Sequence, residues 1–438
     1  MTVNLRTHVK IAAALMCFGW MMTGSLAWGQ GLGVELHNTM MPASGGMGGT
    51  SIAQPQDLLS AINGNPASLT QFRGTQFTFG GGWVEPHVDL SHTGNNDLPG
   101  IGPFEAASGT PGTALGNIGV TQDLSVLGMP VTAGVALVTT AGIGADFASE
   151  PNSNNSAITF TVLKFLPAVG VRLTDRLSAG ANFGLVTSTF DGLFVGSSKA
   201  TPAFAARGSF GLNYVVNCHT RIGGYYQTEA RSIYEDAIVL QPFVGLPGIP
   251  LDVAAELPHN VGIGFSNNRL ANGRLLLAAD VLYKFWQNAA LFDAIYENQL
   301  IFQLGAQYST PRAKLRAGYV WADERMVDVP GNVIGGITPP GAANAIQYIQ
   351  GLAPNINQHR LTGGIGIPNV LPGVDLDMFA GTMFRASENF GLTTVRVSSY
   401  YLGGGLTWRF GRGSGCNLAP NEWCPSNGRG CGGCSSCN

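Results

Sequence analysis

Counting back from Phe410, every second residue is apolar or glycine: Trp408, Leu406, Gly404, Leu402 and Tyr400. The residues between them, Arg409, Thr407, Gly405, Gly403, Tyr401 and Ser399, are mostly polar or small. A period of two held this long is a strand with two unlike faces. It exceeds the roughly 5–6 residues usual in globular sheets. It reaches the roughly 9–11 tilted residues that cross a bilayer. From Thr75 onward the pattern recurs and predicts strands over 75–91, 115–127, 130–142, 157–172, 176–190, 202–216, 219–232, 257–267, 272–287, 298–309, 313–325, 357–368, 373–386 and 395–410. In 272–287, Leu275, Leu277, Ala279, Val281, Tyr283 and Phe285 form the outward set, and Asp280, Lys284 and Trp286 face inward. In 313–325, Leu315, Ala317, Tyr319 and Trp321 alternate with Lys314, Arg316 and Gly318.

The links between these strands alternate in length. Short ones fall at Gly128-Met129, Leu173-Thr174-Asp175, Asn217-Cys218, Asn267 to Ala271, Thr310-Pro311-Arg312 and Asn369 to Leu371. Long ones span 92–114, 143–156, 191–201, 233–256, 288–297, 326–356 and 387–394. Bacterial outer-membrane barrels have an even strand number, short periplasmic turns and long extracellular loops. A soluble β-sandwich has no reason to keep that alternation. The expected fold is therefore all-β: a transmembrane antiparallel barrel of about fourteen strands over 75–410.

Composition agrees. Charged residues are 11% of the chain, against roughly 25% in soluble domains. Glycine is 62 of 438 residues, about twice its usual share. No stretch offers the roughly 18 uninterrupted apolar residues of a spanning helix. Residues 1–29 have the form of a secretory signal, with Arg6 and Lys10 ahead of the apolar run Ile11 to Met22, and Ala27 and Gly29 before the cleavage. Residues 30–74 keep no period of two; they are Gly-rich and compact, with a short helical stretch from Gln56 to Ile62. The net charge of −3 is mild, and no basic stripe points to nucleic acid. No catalytic motif, cofactor fingerprint or metal-ligand pattern of the core chain stands out, so enzyme chemistry is not expected.

Small Gly-rich residues over 44–49, then Ser51-Ile52-Ala53, Asp57 and Asn65-Pro66-Ala67 resemble the N-terminal hatch of the FadL/TodX (OMPP1) family. These are outer-membrane transporters of long-chain fatty acids and other hydrophobic compounds. Further stretches are similar to that family: Phe165-Leu166-Pro167-Ala168 before the Asp175-to-Gly180 turn, Leu257-Pro258-His259-Asn260-Val261-Gly262, and Leu315-Arg316-Ala317-Gly318-Tyr319. The resemblance implies a barrel plugged by its own N-terminal hatch. It implies passive, hatch-gated passage of hydrophobic small molecules and lateral exit beside a kinked third strand. The terminal strand ending at Phe410 matches the signal read by the barrel-assembly machinery, and the outer-membrane lipid surrounds the wall. Gly142 and Gly144 permit a kink in the third strand, which lacks the family's proline-aromatic-glycine end.

Two groups of residues are candidate sites. In the loops, Leu193, Phe194 and Val195 face Ile238, Val239, Leu240, Phe243 and Val244 in the family's order. Apolar loop residues of this density mark a capture surface or pack the loops together as a lid. Asn65, Pro66 and Ala67 match the hatch motif; Pro66 fixes φ and holds Asn65 extended. They make a gate turn holding the plug near the third strand, or an ordinary turn into the first strand. Among charged residues, Arg316, Lys314, Lys284, Asp280, Arg360 and Arg409 are lumen candidates, for a ligand carboxylate or for pairing with one another. The tail 411–438 adds Cys416, Cys424, Cys431, Cys434 and Cys437, open to metal, disulfides or a plain periplasmic extension. Cys218, in a short turn, is expected to be inert. The rival to transport is a structural or adhesive barrel, with a barrel lipase third.

Overall fold

The structure is a computed structural model and describes residues 35–94, 98, 100–192, 200–240, 249–328, 330–331 and 342–410. In chain order its strands are β1 (Thr75–His92), β2 (Phe104–Ala107), β3 (Thr113–Asp123), β4 (Val131–Asp146), β5 (Ala157–Arg172), β6 (Leu177–Asp191), β7 (Thr201–Asn217), β8 (Thr220–Gln227), β9 (Ala230–Leu240), β10 (Ile249–Leu257), β11 (Asn260–Leu270), β12 (Leu275–Lys284), β13 (Gln299–Ser309), β14 (Lys314–Ala322), β15 (His359–Leu371), β16 (Val374–Phe390) and β17 (Thr393–Phe410). Each wall strand pairs antiparallel with its neighbours, and β17 pairs with β1 over the full run Thr75↔Phe410 to His92↔Thr393. Fourteen strands close the ring. β2 is a short addition on β1, and β9 with β10 forms a separate hairpin.

Closure follows from the sequence pattern. In lipid every backbone N–H and C=O needs an internal partner, and a sheet achieves this only without edges. The outward set is apolar and exposed: Leu137, Leu163, Phe165, Leu185, Phe210, Ile263, Leu304, Leu315, Leu361 and Leu402. The alternate residues point inward and are buried, including Lys164, Arg207, Asp280, Lys284, Gln303, Arg316 and Arg360. A surface greasy outside and polar within belongs in a bilayer.

Four details differ from the expectation. The seventh and eighth wall strands break, between Gln227 and Ala230 and between Leu257 and Asn260, so that β9 and β10 leave the wall ladder. The stretch 233–256, expected as a loop, therefore carries strands up to Leu240 and from Ile249 onward. The expected long link 387–394 is a tight turn at Gly391-Leu392, with Gly391 at φ 60. Within 326–356 the chain forms a helix, Ala342–Leu352.

At the end carrying the long connections, loops and strand ends share one apolar core. Phe160, Phe190, Tyr234, Trp286, Phe292, Tyr296, Tyr348 and Leu352 are among its buried members. Tyr348 donates to Ser156 Oγ at 2.8 Å, and Tyr296 donates to the Ala353 carbonyl at 2.6 Å. Cys218 is disulfide-bonded. The cysteines of the tail and residues 1–34 lie outside the described residues.

Candidate functional site

The N-terminal segment is where the interior is built. It folds into a 3-10 helix at Ser44–Met47, an α-helix at Leu58–Asn63 and a 3-10 helix at Pro66–Gln71. Asp57 organises it. Its carboxylate caps the α-helix by accepting from Ser60 N at 2.7 Å, and it also accepts from Ala43 N and Ser44 N. Three N–H groups that would otherwise be buried without partners converge on one side chain.

Nearly every residue from Leu36 to Thr70 is buried. The first 3-10 helix touches β13 to β16, and the Pro66–Gln71 helix touches β4 to β7. A segment in contact with opposite arcs of a closed ring lies inside it. Inward wall side chains bond its backbone. Asp280 accepts from Ser51 N at 2.6 Å and Ile52 N at 3.0 Å. Thr362 accepts from Gly48 N, Asn182 donates to the Ile62 carbonyl, and Asn213 donates to the Ala53 carbonyl. Leu58, Leu59, Ile62 and Leu69 pack on Ala136, Val138 and Leu166 of the wall.

The fit depends on wall glycines. A side chain at Gly211 would collide with Asn65 Oδ1, and one at Gly180 with Ala67 N and Pro66. One at Gly318 would collide with Gly48 N. Here the backbone of the N-terminal segment approaches the wall more closely than any larger residue permits.

Asn65, Pro66 and Ala67 thus form a buried turn. Asn65 accepts from Ala67 N at 3.1 Å and donates to the carbonyls of Ile52 and Leu212, at 2.8 and 3.0 Å. The turn sits on β6 and β7, through Gly180 and Gly211. The segment's bond to the opening of the third strand comes from elsewhere.

That strand, β4, leaves its neighbour part-way up. β3 and β4 pair from Asp123↔Thr132 to Asn117↔Val138. Beyond Val138 only β5 follows β4, with a register shift between Thr139 and Ala141. Side chains patch the start of the gap: Asn117 Oδ1 accepts from Thr139 N at 3.0 Å, and Thr139 Oγ1 donates to the Gly116 carbonyl at 3.2 Å. Contact resumes where Gly109 N donates to the Asp146 carbonyl at 2.7 Å. Between these levels Leu36 N donates to the Thr140 carbonyl at 3.2 Å. Leu36 and Met40 pack there with Val84, Leu115, Met383 and Tyr401. The window in the wall is thus filled from inside by the first residues of the segment.

Glu35, the residue before, is anchored by charge. Lys164 Nζ and Arg207 Nη1 lie 3.0 and 2.5 Å from its Oε1, and Lys284 Nζ lies 3.7 Å from Oε2. Asn260 donates to Oε2 at 2.8 Å. Burial alone would raise the Glu35 carboxyl; the Arg207, Lys164 and Lys284 cations overcome it and hold it well below the usual carboxylate range. Arg207 also donates to the carbonyls of Thr228 and Pro258, at the two breaks in the wall. A small cavity adjoins this cluster, lined by Glu35, Leu36, His37 and Thr39 on one side and by Lys284, Trp286, Ile301, Val320 and Arg360 on the other.

Of the residues singled out by sequence, Leu193, Phe194, Val195, Phe243 and Val244 lie outside the described residues. Ile238, Val239 and Leu240 belong to β9 and pair with Leu251, Pro250 and Ile249 of β10. Among the lumen candidates, Arg316 pairs with Asp377 at 2.6 Å, Arg409 with Asp375, and Lys284 with Glu35. Glu35, Lys164 and Arg207 are additions from the structure. Lys164 and Arg207 occupy inward positions of predicted strands, so an inventory of inward charges along every strand finds them.

No protein-family model and no curated protein matches this chain. Solved structures do. The Pseudomonas putida toluene transporter TodX aligns with a TM-score of 0.60 at 15% identity, over 88% of this chain and 100% of that one. The Ralstonia pickettii toluene transporter TbuX gives 0.57 at 18% identity, over 86% and 99%. A Pseudomonas aeruginosa FadL homologue gives 0.58 at 13% identity, over 88% and 100%. With its fourteen-strand wall, inward-packed N-terminal segment and interrupted third strand, this chain has the fold of the FadL/TodX outer-membrane transporters.

Proposed function

We propose that this chain carries small hydrophobic compounds across the outer membrane by passive, hatch-gated diffusion. The segment 35–74 acts as the hatch, and the window between β3 and β4 is the lateral exit. The observation that carries this reading is the bond from Leu36 N to the Thr140 carbonyl, made where the wall ladder is interrupted. A lateral route suits the cargo. A hydrophobic compound gains by entering the bilayer and loses by entering water, and gaps in a lipid-facing ladder are costly unless protein covers them. Among the described residues, an apolar core at the long-loop end and the hatch lower down fill the interior, which suits a cargo that avoids water. The neighbours in fold include toluene transporters and a FadL homologue, which supports the cargo class. The reading gives the protein no reaction to catalyse.

Uptake of labelled toluene and of a labelled long-chain fatty acid by Gram-negative cells, with and without this chain in their outer membrane, tests it. Faster uptake of at least one compound, without leakage of small hydrophilic dyes, is expected. Equal uptake of both in the two strains overturns the reading.

A further inference from the structure

Cys218 is disulfide-bonded, and it is the one cysteine among the described residues. Its partner is therefore Cys17 or a cysteine of the tail: Cys416, Cys424, Cys431, Cys434 or Cys437. Cys17 falls in the stretch 1–29, which has the form of a secretory signal and so is cut away. Five cysteines in the tail leave one without a mate inside it, and Cys218 makes the number even. The mount of Cys218 is fixed, in the turn between β7 and β8. Asn217 Oδ1 accepts from His219 N at 2.9 Å, and Asn268 N of the neighbouring turn donates to the His219 carbonyl at 3.0 Å. His219 Nδ1 lies 3.1 Å from Asn268 Oδ1. Phe410, where the wall ends, lies at the same short-turn end, paired with Thr75, which in turn pairs with Gln122. It lies on the far side of the ring: seven steps separate β17 from β8 in either direction.

We propose that the tail runs across the periplasmic mouth of the barrel and is tied by a disulfide to Cys218 on the opposite rim, as a covalent brace between the two halves of the ring. Reach agrees with this. Strands about 4.8 Å apart and tilted about 40° make a fourteen-strand ring about 28 Å across, with half the rim about 44 Å long. The chord is the shorter path. The six residues from Phe410 to Cys416 stretch to about 20 Å, and the bridge adds roughly 6 Å. The fourteen residues to Cys424 stretch to about 46 Å, so Cys424 and the cysteines beyond it reach with slack. The bond forms by thiol–disulfide exchange. The Cys218 and tail thiols give up two protons and two electrons, and the disulfide of a periplasmic oxidoreductase is reduced to two thiols. The loop so closed contains β8 to β17. A tie across so long a loop restricts the unfolded chain most. The inference does not depend on the cargo.

Mass spectrometry of the full chain, taken from the outer membrane of Gram-negative cells and digested without reductant, tests this. One peptide pair should join Cys218 to a peptide from 411–438 of the same chain, and a dithiol should split it. Cys218→Ser should show one more maleimide-reactive thiol than the wild type, because its tail partner is set free. A chain ended at Phe410 should gain a reactive thiol at Cys218. The midpoint of the heat-induced gel shift should fall by roughly 5–10 °C when the wild type is reduced, and should hold still when Cys218→Ser is reduced. Maleimide labelling of Cys218 in the unreduced wild type overturns the tie. So does a pair joining Cys218 to Cys17 or, in a mixture of light- and heavy-isotope protein, to a second copy. A midpoint that responds to reduction alike in the wild type and in Cys218→Ser overturns the brace.

Discussion

Leu36 donates its backbone N–H to the carbonyl of Thr140 across 3.2 Å, at the point where β4 has left β3 and bulged. A ladder bond that β3 would make is made by the N-terminal segment instead. The ladder is covered there by another part of the same chain.

Seating of that segment depends on wall positions with no side chain. Gly211→Val places methyl groups where Asn65 Oδ1 now lies. The barrel should still assemble, because the Gly211 backbone keeps its ladder. The segment should lose its docking, giving faster hydrogen exchange over 44–70 and larger single-channel conductance in planar bilayers. An unchanged conductance and exchange pattern would mean that the segment does not use this seat.

Asp57→Ala removes a helix cap, worth about 1 kcal/mol, and leaves the buried N–H groups of Ala43 and Ser44 unpaired, at about 1–3 kcal/mol each. The summed loss of about 3–7 kcal/mol should loosen the segment locally. Hydrogen exchange over 43–63 should accelerate, while the wall strands keep wild-type protection.

In the wall itself, Arg316 and Asp377 form a buried pair at 2.6 Å, with Gln307 accepting from Arg316 Nε at 2.7 Å. Arg316→Ala leaves Asp377 buried without its cation, a loss of about 3–5 kcal/mol. The midpoint of the heat-induced gel shift should fall clearly. Removing both partners, as Arg316→Met with Asp377→Leu, should restore much of it, because neither charge is then stranded.

Much of the wall was legible from alternation alone. The strand expected over 157–172 is the one observed, since Leu163, Phe165 and Val169 face lipid while Val162, Lys164 and Leu166 face inward. The breaks at 228–229 and 258–259 were not legible, because the period of two continues on both sides of each. The tight turn at Gly391-Leu392 was not legible because Ser387, Glu388 and Asn389 are polar on both faces and have the pattern of a loop. The seats at Gly180, Gly211 and Gly318 look like any other glycine until the opposing backbone is in place. Glu35 lies 129 residues from Lys164 and 172 from Arg207, so only the closed ring brings them together. The turn at Asn65-Pro66-Ala67 was found from its motif, but its seat on β6 and β7 was not, because nothing local records which strand it meets.

The most direct measurement is uptake of a labelled hydrophobic compound by cells carrying the wild type, Thr140→Trp or Leu36→Gly at matched outer-membrane levels. The indole of Thr140→Trp should block the window and bring uptake down to that of cells lacking the protein. Leu36→Gly gives up a buried side chain worth about 2–5 kcal/mol, so the window should stand uncovered more often and uptake should rise. Wild-type uptake in both variants, with both barrels correctly assembled, would contradict exit between β3 and β4.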